Sequence, residues 1–437
     1  MRTPDAERRR PDPVTTFPLL LLLLLIVFFA DPHRLIAAGQ QAPQETPAAR
    51  PQEAPANVEQ TDVKDLVRKL RHKEQTPEEQ AAYHDWRRRM VTVAPFIASK
   101  PSTGVVVGAA GSVAFFRGDP STTHISSATG SATFSAKGQV LLSAKVNAFT
   151  RDDRLLVVGD NRFQWTSEDT YGLGTTAPAD AVTNVSYDYV RLYDTMCWRL
   201  RRSLYAGVGV HFGVHRNVGP GEGAEGEWDS SPYVTYSNEH GLPLDSQRSS
   251  GLSVNLMVDS RDNAINAARG WFAQASFRTF MKDFLGGDST WQELYLDTRT
   301  YFRVAPRQTV AFWVRGDFAT GGPPPYFDLP ATGMDTSGRS ARGYTEGRFR
   351  GERLLYGEVE YRVTLMASGL LGAVAFLNTT TITNLHTGER LFDSFATGGG
   401  VGLRLLMDKR SRTNLCFDVG WGKNGSHGVY LAIQEAF

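Results

Sequence analysis

The sequence predicts an all-β transmembrane fold: an antiparallel barrel of about sixteen strands behind a short N-terminal helical extension. Three observations predict it. First, short alternating runs separated by turn residues succeed one another from residue 90 to the end, with no convincing helix among them. Second, the cleanest run, 353–366, places Leu355, Gly357, Val359, Tyr361 and Val363 on one face and Tyr356, Glu358, Glu360 and Arg362 on the other. A strand with one apolar and one charged face suits a wall with lipid outside and water inside. Third, the connections fall into two sets. Gly118-Asp119-Pro120, Arg151-Asp152-Asp153, Arg201-Arg202-Ser203, Ala305-Pro306-Arg307 and Lys409-Arg410-Ser411 are short and mostly charged, whereas those near 166–182, 217–249, 319–352 and 383–396 are long. Short turns at one end and long loops at the other are the habit of such barrels.

Composition agrees. Mean hydropathy is −0.30, too polar for a helical membrane bundle but not for strands that are half apolar, and 11% of residues are aromatic. The 47 Lys and Arg nearly cancel the 46 Asp and Glu, so charge gives no indication of nucleic acid. Cys197 and Cys416 stand far apart and form no metal motif; no metal or cofactor is expected.

In chain order, Arg8–Arg10 precede the apolar run Phe17–Ala30, and Ala37, Ala38 and Gly39 offer small residues for cleavage. An apolar core of about 14 residues is short for a membrane span and suits a signal peptide, assigned to 1–38. Residues 39–60 are Pro, Ala, Gln and Glu, a linker that cannot bury a core. A helical segment is expected over 61–90. Thr61 is its cap, Val63, Leu66, Val67 and Leu70 follow at helical spacing, and Thr76-Pro77-Glu78-Glu79 is a second start signal. Tyr83, Trp86 and Met90 continue one face. The segment reads as a tether, or as a helical pair at the barrel mouth.

The barrel is expected over 91–437. Its strands are placed near 92–98, 105–117, 123–136, 140–149, 154–165, 184–200, 203–216, 250–259, 270–281, 291–304, 308–318, 353–366, 369–381, 397–408, 412–421 and 427–437. An even number brings both ends of the barrel to one side. In the last strand Val429, Leu431, Ile433 and Phe437 share a face. That strand is expected to pair with the first, because an open edge leaves backbone groups unpaired in lipid.

Between the eleventh and twelfth strands lies a loop rich in Gly, Pro, Ser and Arg, holding the turn Ala341-Arg342-Gly343-Tyr344. Loops this long are mostly functional or disordered. Residues 321–363 closely resemble the bacterial surface antigen family, the outer-membrane barrels that include BamA- and TamA-type assembly factors. In that family the sixth outer loop folds into the lumen, and its Arg-Gly-aromatic tip docks on acidic wall residues. Arg342, Gly343 and Tyr344 match the tip, and Glu360, with Glu358 on the same face, matches the acidic position. The family's following strand carries Phe-x-Asp-x-Gly. Here Phe376 is followed by Asn378 and Thr380, so the resemblance implies a lost second acid and a larger part for Glu360.

Residues 259–270 resemble a second family signature through Asp259, Arg261, Asp262, Asn263 and Gly270, without the usual proline near Ala267. A structural turn is expected there, with Asp and Asn side chains bonding local N–H groups. Tyr171-Gly172-Leu173-Gly174-Thr175 matches a family loop pattern, and the terminal aromatic Phe437 matches the family's insertion signal. The resemblance spans 91–437 and leaves no room for the family's periplasmic repeats.

It implies a bacterial outer-membrane location, contact with outer-membrane lipid, and reliance on the barrel-assembly machinery during biogenesis. The role it implies is helping to insert or move a polypeptide or lipid client. The alternatives are a passive small-solute pore and a structural surface protein. No catalysis is expected: the chain has no G-x-S-x-G, H-E-x-x-H or P-loop, and His124 and Ser126, two apart on one strand, fall at the wrong end for a lipase.

Overall fold

The computed structural model describes residues 60–72, 85–100 and 104–437. The signal peptide, the linker up to residue 59 and the Thr76-Pro77-Glu78-Glu79 start lie outside the described residues. Sixteen antiparallel strands form one sheet in strict sequence order. They are β1 (Met90–Lys100), β2 (Gly104–Phe115), β3 (Ser126–Ser135), β4 (Val140–Phe149), β5 (Leu155–Thr170), β6 (Thr183–Arg201), β7 (Leu204–Pro220) and β8 (Ser246–Asp259). There follow β9 (Gly270–Phe280), β10 (Trp291–Ala305), β11 (Gln308–Thr320), β12 (Arg353–Thr364), β13 (Leu371–Ile382), β14 (Ala396–Asp408), β15 (Thr413–Trp421) and β16 (His427–Ile433).

The two faces differ as the alternation requires. Val93, Val208, Val254, Phe312, Leu377 and Leu403 stand exposed on the outside. Asp160, Arg162, Asp297, Arg315, Glu358, Glu360, Arg404 and Asp418 are buried within. Buried charges persist only when paired, and here they are: Arg162 with Asp160, Arg299 with Asp297, Arg315 with Asp317 and Arg404 with Asp418. No helix among the described residues is long and apolar enough to cross a membrane.

β5, β6 and β7 have 16, 19 and 17 residues, well beyond the roughly 9–11 that span a bilayer. β5 overruns into the loop expected at 166–182, because Glu168 and Thr170 continue the inward alternation opposite Val185 and Thr183.

Four expectations need correction. Among the described residues the N-terminal helix is only α1 (Val63–Leu70), and its cap is Asp62, not Thr61. The Asp62 carboxylate accepts the Asp65 N–H while Asp65 accepts the Asp62 N–H, a reciprocal arrangement that a Thr one residue earlier cannot make. Trp86 lies in a turn and Met90 begins β1, so neither continues a helix. The polar side of α1 docks on the β14–β15 turn, through Lys64–Asp408 at 2.5 Å and Lys409–Asp65 at 2.8 Å; Leu66, Val67 and Leu70 remain exposed.

Second, a helix does occur after residue 90: α2 (Pro232–Glu239), capped by Ser231, whose hydroxyl accepts the Val234 N–H, with Pro232 in its first turn. Its Tyr233 and Tyr236 pack on Tyr326 and Phe327 and cover the loop end of the barrel.

Third, Phe437 does not share a face with Val429, Leu431 and Ile433. β16 ends at Ile433, and Gln434 takes φ +75°, which turns the tail inward. Phe437 is buried against Trp313 and Tyr301, with centroid separations of 5.2 and 6.3 Å. Fourth, β16 runs beside β1, yet among the described residues no ladder joins them, whereas every other neighbouring pair is laddered.

Candidate functional site

The loop between β11 and β12 lies inside the barrel. Gly321 and Gly322, at φ +72° and +149°, reverse the chain after β11. A Cβ on Gly322 would meet the Thr290 carbonyl at 2.1 Å, so only glycine lets the loop dive inward there. Tyr326, Phe327 and Leu329 anchor the descent beneath α2.

Two arginines then bind the loop to the β5–β6 and β11 walls. Arg350 contacts Glu168 at 2.5 Å, and the Tyr187 hydroxyl donates to the same carboxylate at 2.8 Å. Arg315 donates to the Ala331 carbonyl and the Ser340 hydroxyl, both at 3.3 Å. The Tyr171–Thr175 run joins this packing: Arg348 sits 4.5 Å over the Tyr171 ring, whose carbonyl accepts from the Tyr326 hydroxyl at 2.9 Å.

The tip is the most enclosed point. Arg342 is wholly buried. Its Nη2 donates to Glu358 Oε1 at 2.6 Å and to Glu360 Oε1; its Nη1 donates to Asp418 Oδ2 at 2.7 Å. The guanidinium also lies 3.7 Å over the Phe376 ring. Strand register explains the convergence. Glu358 lies opposite Asn378 and Glu360 opposite Phe376, while Gly398 and Gly400 on β14 continue the same two rows.

Here the expectation about Asn378 is corrected. The second acid is not lost, because Asp418 on β15 supplies it, and Glu360 does not carry the charge alone. Asn378 instead donates to the Arg342 backbone carbonyl at 3.0 Å.

Gly343 and Tyr344 then fasten the tip to the final strands. The Gly343 N–H donates to the Tyr430 hydroxyl at 2.9 Å, and that hydroxyl donates to the Tyr344 carbonyl at 3.1 Å. The Tyr344 hydroxyl donates to the Thr397 carbonyl at 2.6 Å and accepts the Lys423 N–H at 2.9 Å.

The wall under the tip is made of glycine. A Cβ on Gly420 would meet Gly343 N at 2.8 Å, and one on Gly422 would meet the Tyr344 ring at 2.5 Å. Gly343 itself has φ +112° and faces the Trp421 backbone. Sequence reasoning missed Asp418, Tyr430 and this glycine floor. The run Thr397-Gly398-Gly399-Gly400 was their signal, since bare glycines in a strand mark a close backbone approach.

The 259–270 turn lies at the opposite end. Arg261 holds Asp259 through Nε at 2.9 Å and Nη2 at 2.6 Å. Asn263 Oδ1 accepts the Ile265 and Asn266 N–H groups, and Asp262 Oδ1 accepts those of Ala268 and Arg269. Burial opposes the Asp262 charge, yet Arg412 and these amides hold its carboxyl below the usual range. A Cβ on Gly270, at φ +95°, would meet the Ser260 carbonyl at 2.3 Å. The turn reaches across the barrel mouth to Ser411 and Arg412, and its Ile265 packs on Met90, Ala114 and Ile125. Val429, Leu431 and Ile433 stay on the wall, away from the tip. His124 bonds Asp153 at 2.6 Å, while the Ser126 hydroxyl is taken up by the Phe149 backbone, so these two side chains make no pair.

No family model and no curated protein matches the chain. Among solved structures it is similar to BamA from Haemophilus ducreyi lacking POTRA domains 1–3, at 14% identity and TM-score 0.48, over 79% of this chain and 69% of that one. It is similar to CdiB from Acinetobacter baumannii at 11% identity and TM-score 0.49, over 79% and 59% of the two chains. With CdiB from Escherichia coli the values are 12%, 0.49, 79% and 62%, so the chain spans about three-fifths of either CdiB.

Proposed function

We propose that this chain is a bacterial outer-membrane barrel of the surface antigen type that helps insert or move polypeptide or lipid at that membrane. One observation carries the reading. The loop tip inside the lumen is hydrogen-bonded to Tyr430 on β16, the strand that among the described residues lacks a ladder with β1. Backbone groups without partners are costly in lipid, so the seam is the wall's weakest line. The docked loop braces its β16 side. A client needs the wall rather than the lumen, since the docked loop obstructs passage through the lumen. Loosening the tip frees β16, and redocking restores it. A loop fixed by one arginine on three carboxylates also argues against an open solute pore.

The test is to lock the seam. With Cys197 and Cys416 changed to serine, cysteine pairs drawn from Val91 or Val93 on β1 and Val429 or Leu431 on β16 are oxidised in cells. Outer-membrane protein and lipid profiles are compared with those of a strain lacking the gene. The reading expects the deletion to alter a profile, the reduced pair to restore it and the locked pair not to. Full restoration by the locked barrel would refute it.

A further inference from the structure

The loop occupies only part of the lumen. It is held by β5, β11, β12, β15 and β16, and a chamber of about 460 Å³ remains between its tip and the inner faces of β2–β5. That volume falls in the range of roughly 300–1,000 Å³ typical of small-molecule sites.

The wall here differs from the rest of the barrel. β2, β3 and β4 carry a single charged side chain, Lys145, which points into the chamber. Around it the lining includes small hydroxyl and amide groups, among them Thr129, Ser131, Ser143 and Asn147, beside apolar Val106, Leu141 and Val158. Arg162, Arg299, Arg315 and Arg404 elsewhere in the lumen are each matched to an acid, whereas among the described residues no ion pair or hydrogen bond holds Lys145. Across the chamber stands Arg339 from the loop tip. It is 95% buried, and its Nη1 is buried with no partner. The Asn147 side-chain oxygen is likewise buried and unpartnered.

The carboxylates nearby are engaged. Asp297 holds Arg299, Glu435 holds Arg404, Asp160 holds Arg162, and Glu346 has an interaction of its own. Asp335, within electrostatic reach of Lys145, accepts the Ser340 N–H at 2.7 Å and the Arg339 N–H. A buried guanidinium nitrogen without an acceptor is costly, and the Arg339 side chain lines space large enough for a ligand.

From this geometry we infer that the chamber is a binding site for a small phosphorylated sugar. The phosphate lies between Lys145 and Arg339, and the sugar hydroxyls bond to the Ser, Thr and Asn side chains of β3 and β4. Two cations match a phosphate monoester dianion, and polyol hydroxyls pair with the hydroxyl and amide side chains of the wall. The chamber also reaches Phe96 and Leu431 at the seam, so the sugar phosphate has two sources: a free solute or the headgroup of a glycolipid.

Glucose 6-phosphate is the probe, titrated calorimetrically into the purified full-length barrel, with glucose and inorganic phosphate as controls. The expected result is saturable binding of glucose 6-phosphate, with each control weaker by about tenfold or more. Lys145→Gln and Arg339→Gln, each verified as folded by heat-modifiable migration, lose affinity by a similar factor, and Arg339→Lys retains most of it. Reconstitution into phosphatidylethanolamine vesicles with and without lipid A separates the sources. Suppression of glucose 6-phosphate binding by lipid A, absent in the variants' residual binding, assigns the headgroup; unchanged binding assigns the free solute. Absence of binding at 10-millimolar-scale probe (about ten-thousandfold above a micromolar site), or equal binding by the glutamine variants, overturns the inference.

Discussion

Replacing Arg342 is the most informative single perturbation. Arg342→Met keeps much of the volume and removes the charge. The three acids are then left unequally. Glu360 keeps Arg362 at 2.6 Å and Asp418 keeps Arg404 at 2.5 Å. Glu358 keeps only the Tyr356 hydroxyl at 2.6 Å and a long contact with the Asn378 amide. Glu358 is therefore the stranded charge. Removing one partner of such a buried pair costs about 3–5 kcal/mol. Expressed as loop opening, that is an increase of about 10²- to 4,000-fold in the exchange of amides held by docking. The Gly343 amide reports it, since its partner, the Tyr430 hydroxyl, belongs to the wall.

Hydrogen–deuterium exchange on the refolded barrel is the assay. Arg342→Met/Glu358→Gln removes the stranded charge and should recover about 1–3 kcal/mol of the loss. Glu360→Gln alone should cost less than Arg342→Met, because Arg342 then retains two acids. Exchange within threefold of wild type in Arg342→Met (under about 0.7 kcal/mol), or strict additivity in the double variant, would falsify the docking argument.

Three further outcomes follow from the geometry. Phe437→Ala should lower barrel stability by about 3–5 kcal/mol, as for a buried Phe, read from urea unfolding in vesicles; an unchanged midpoint would contradict the inward tail. Gly420→Ala should undock the tip without touching any charge, giving the exchange pattern of Arg342→Met, since its Cβ would meet Gly343 N; wild-type protection would contradict the glycine floor. The hydrogen bond to Asp153 raises the His124 pKa against the opposing effect of burial. Its contribution is therefore complete below about pH 6.5 and is lost as pH rises through the raised folded value. Asp153→Asn should abolish that part of the stability–pH profile, and a profile identical to wild type would refute it.

Much of this was legible in the sequence because a barrel wall is a local pattern. Glu358, Glu360 and Tyr356 declare their face by period two alone, and Arg342-Gly343-Tyr344 stands out as a turn in a loop too long to be idle. What was not legible depends on distance or on a single torsion. Asp418 lies 76 residues from Arg342, inside an ordinary alternating run, and only the register of β12 to β15 brings it under the guanidinium. Phe437 kept its expected parity on paper, but the positive φ of Gln434, a residue without turn preference, ends the alternation. α2 carries a capping signal in Ser231-Pro232, inside a stretch read only as a long connection. The pairing of β16 with β1 followed from the need to satisfy backbone groups in lipid, a rule this seam does not meet.

The central claim is that the loop, held by Arg342, closes the lumen and leaves the wall as the working surface. Single-channel recording in planar bilayers tests it most directly, comparing wild type, Arg342→Met and a chain lacking 321–350. The account predicts almost no steady current for wild type, intermittent openings for Arg342→Met, and a stable open level without the loop. A wild-type barrel that conducts steadily at the level of the loop-less chain would contradict it.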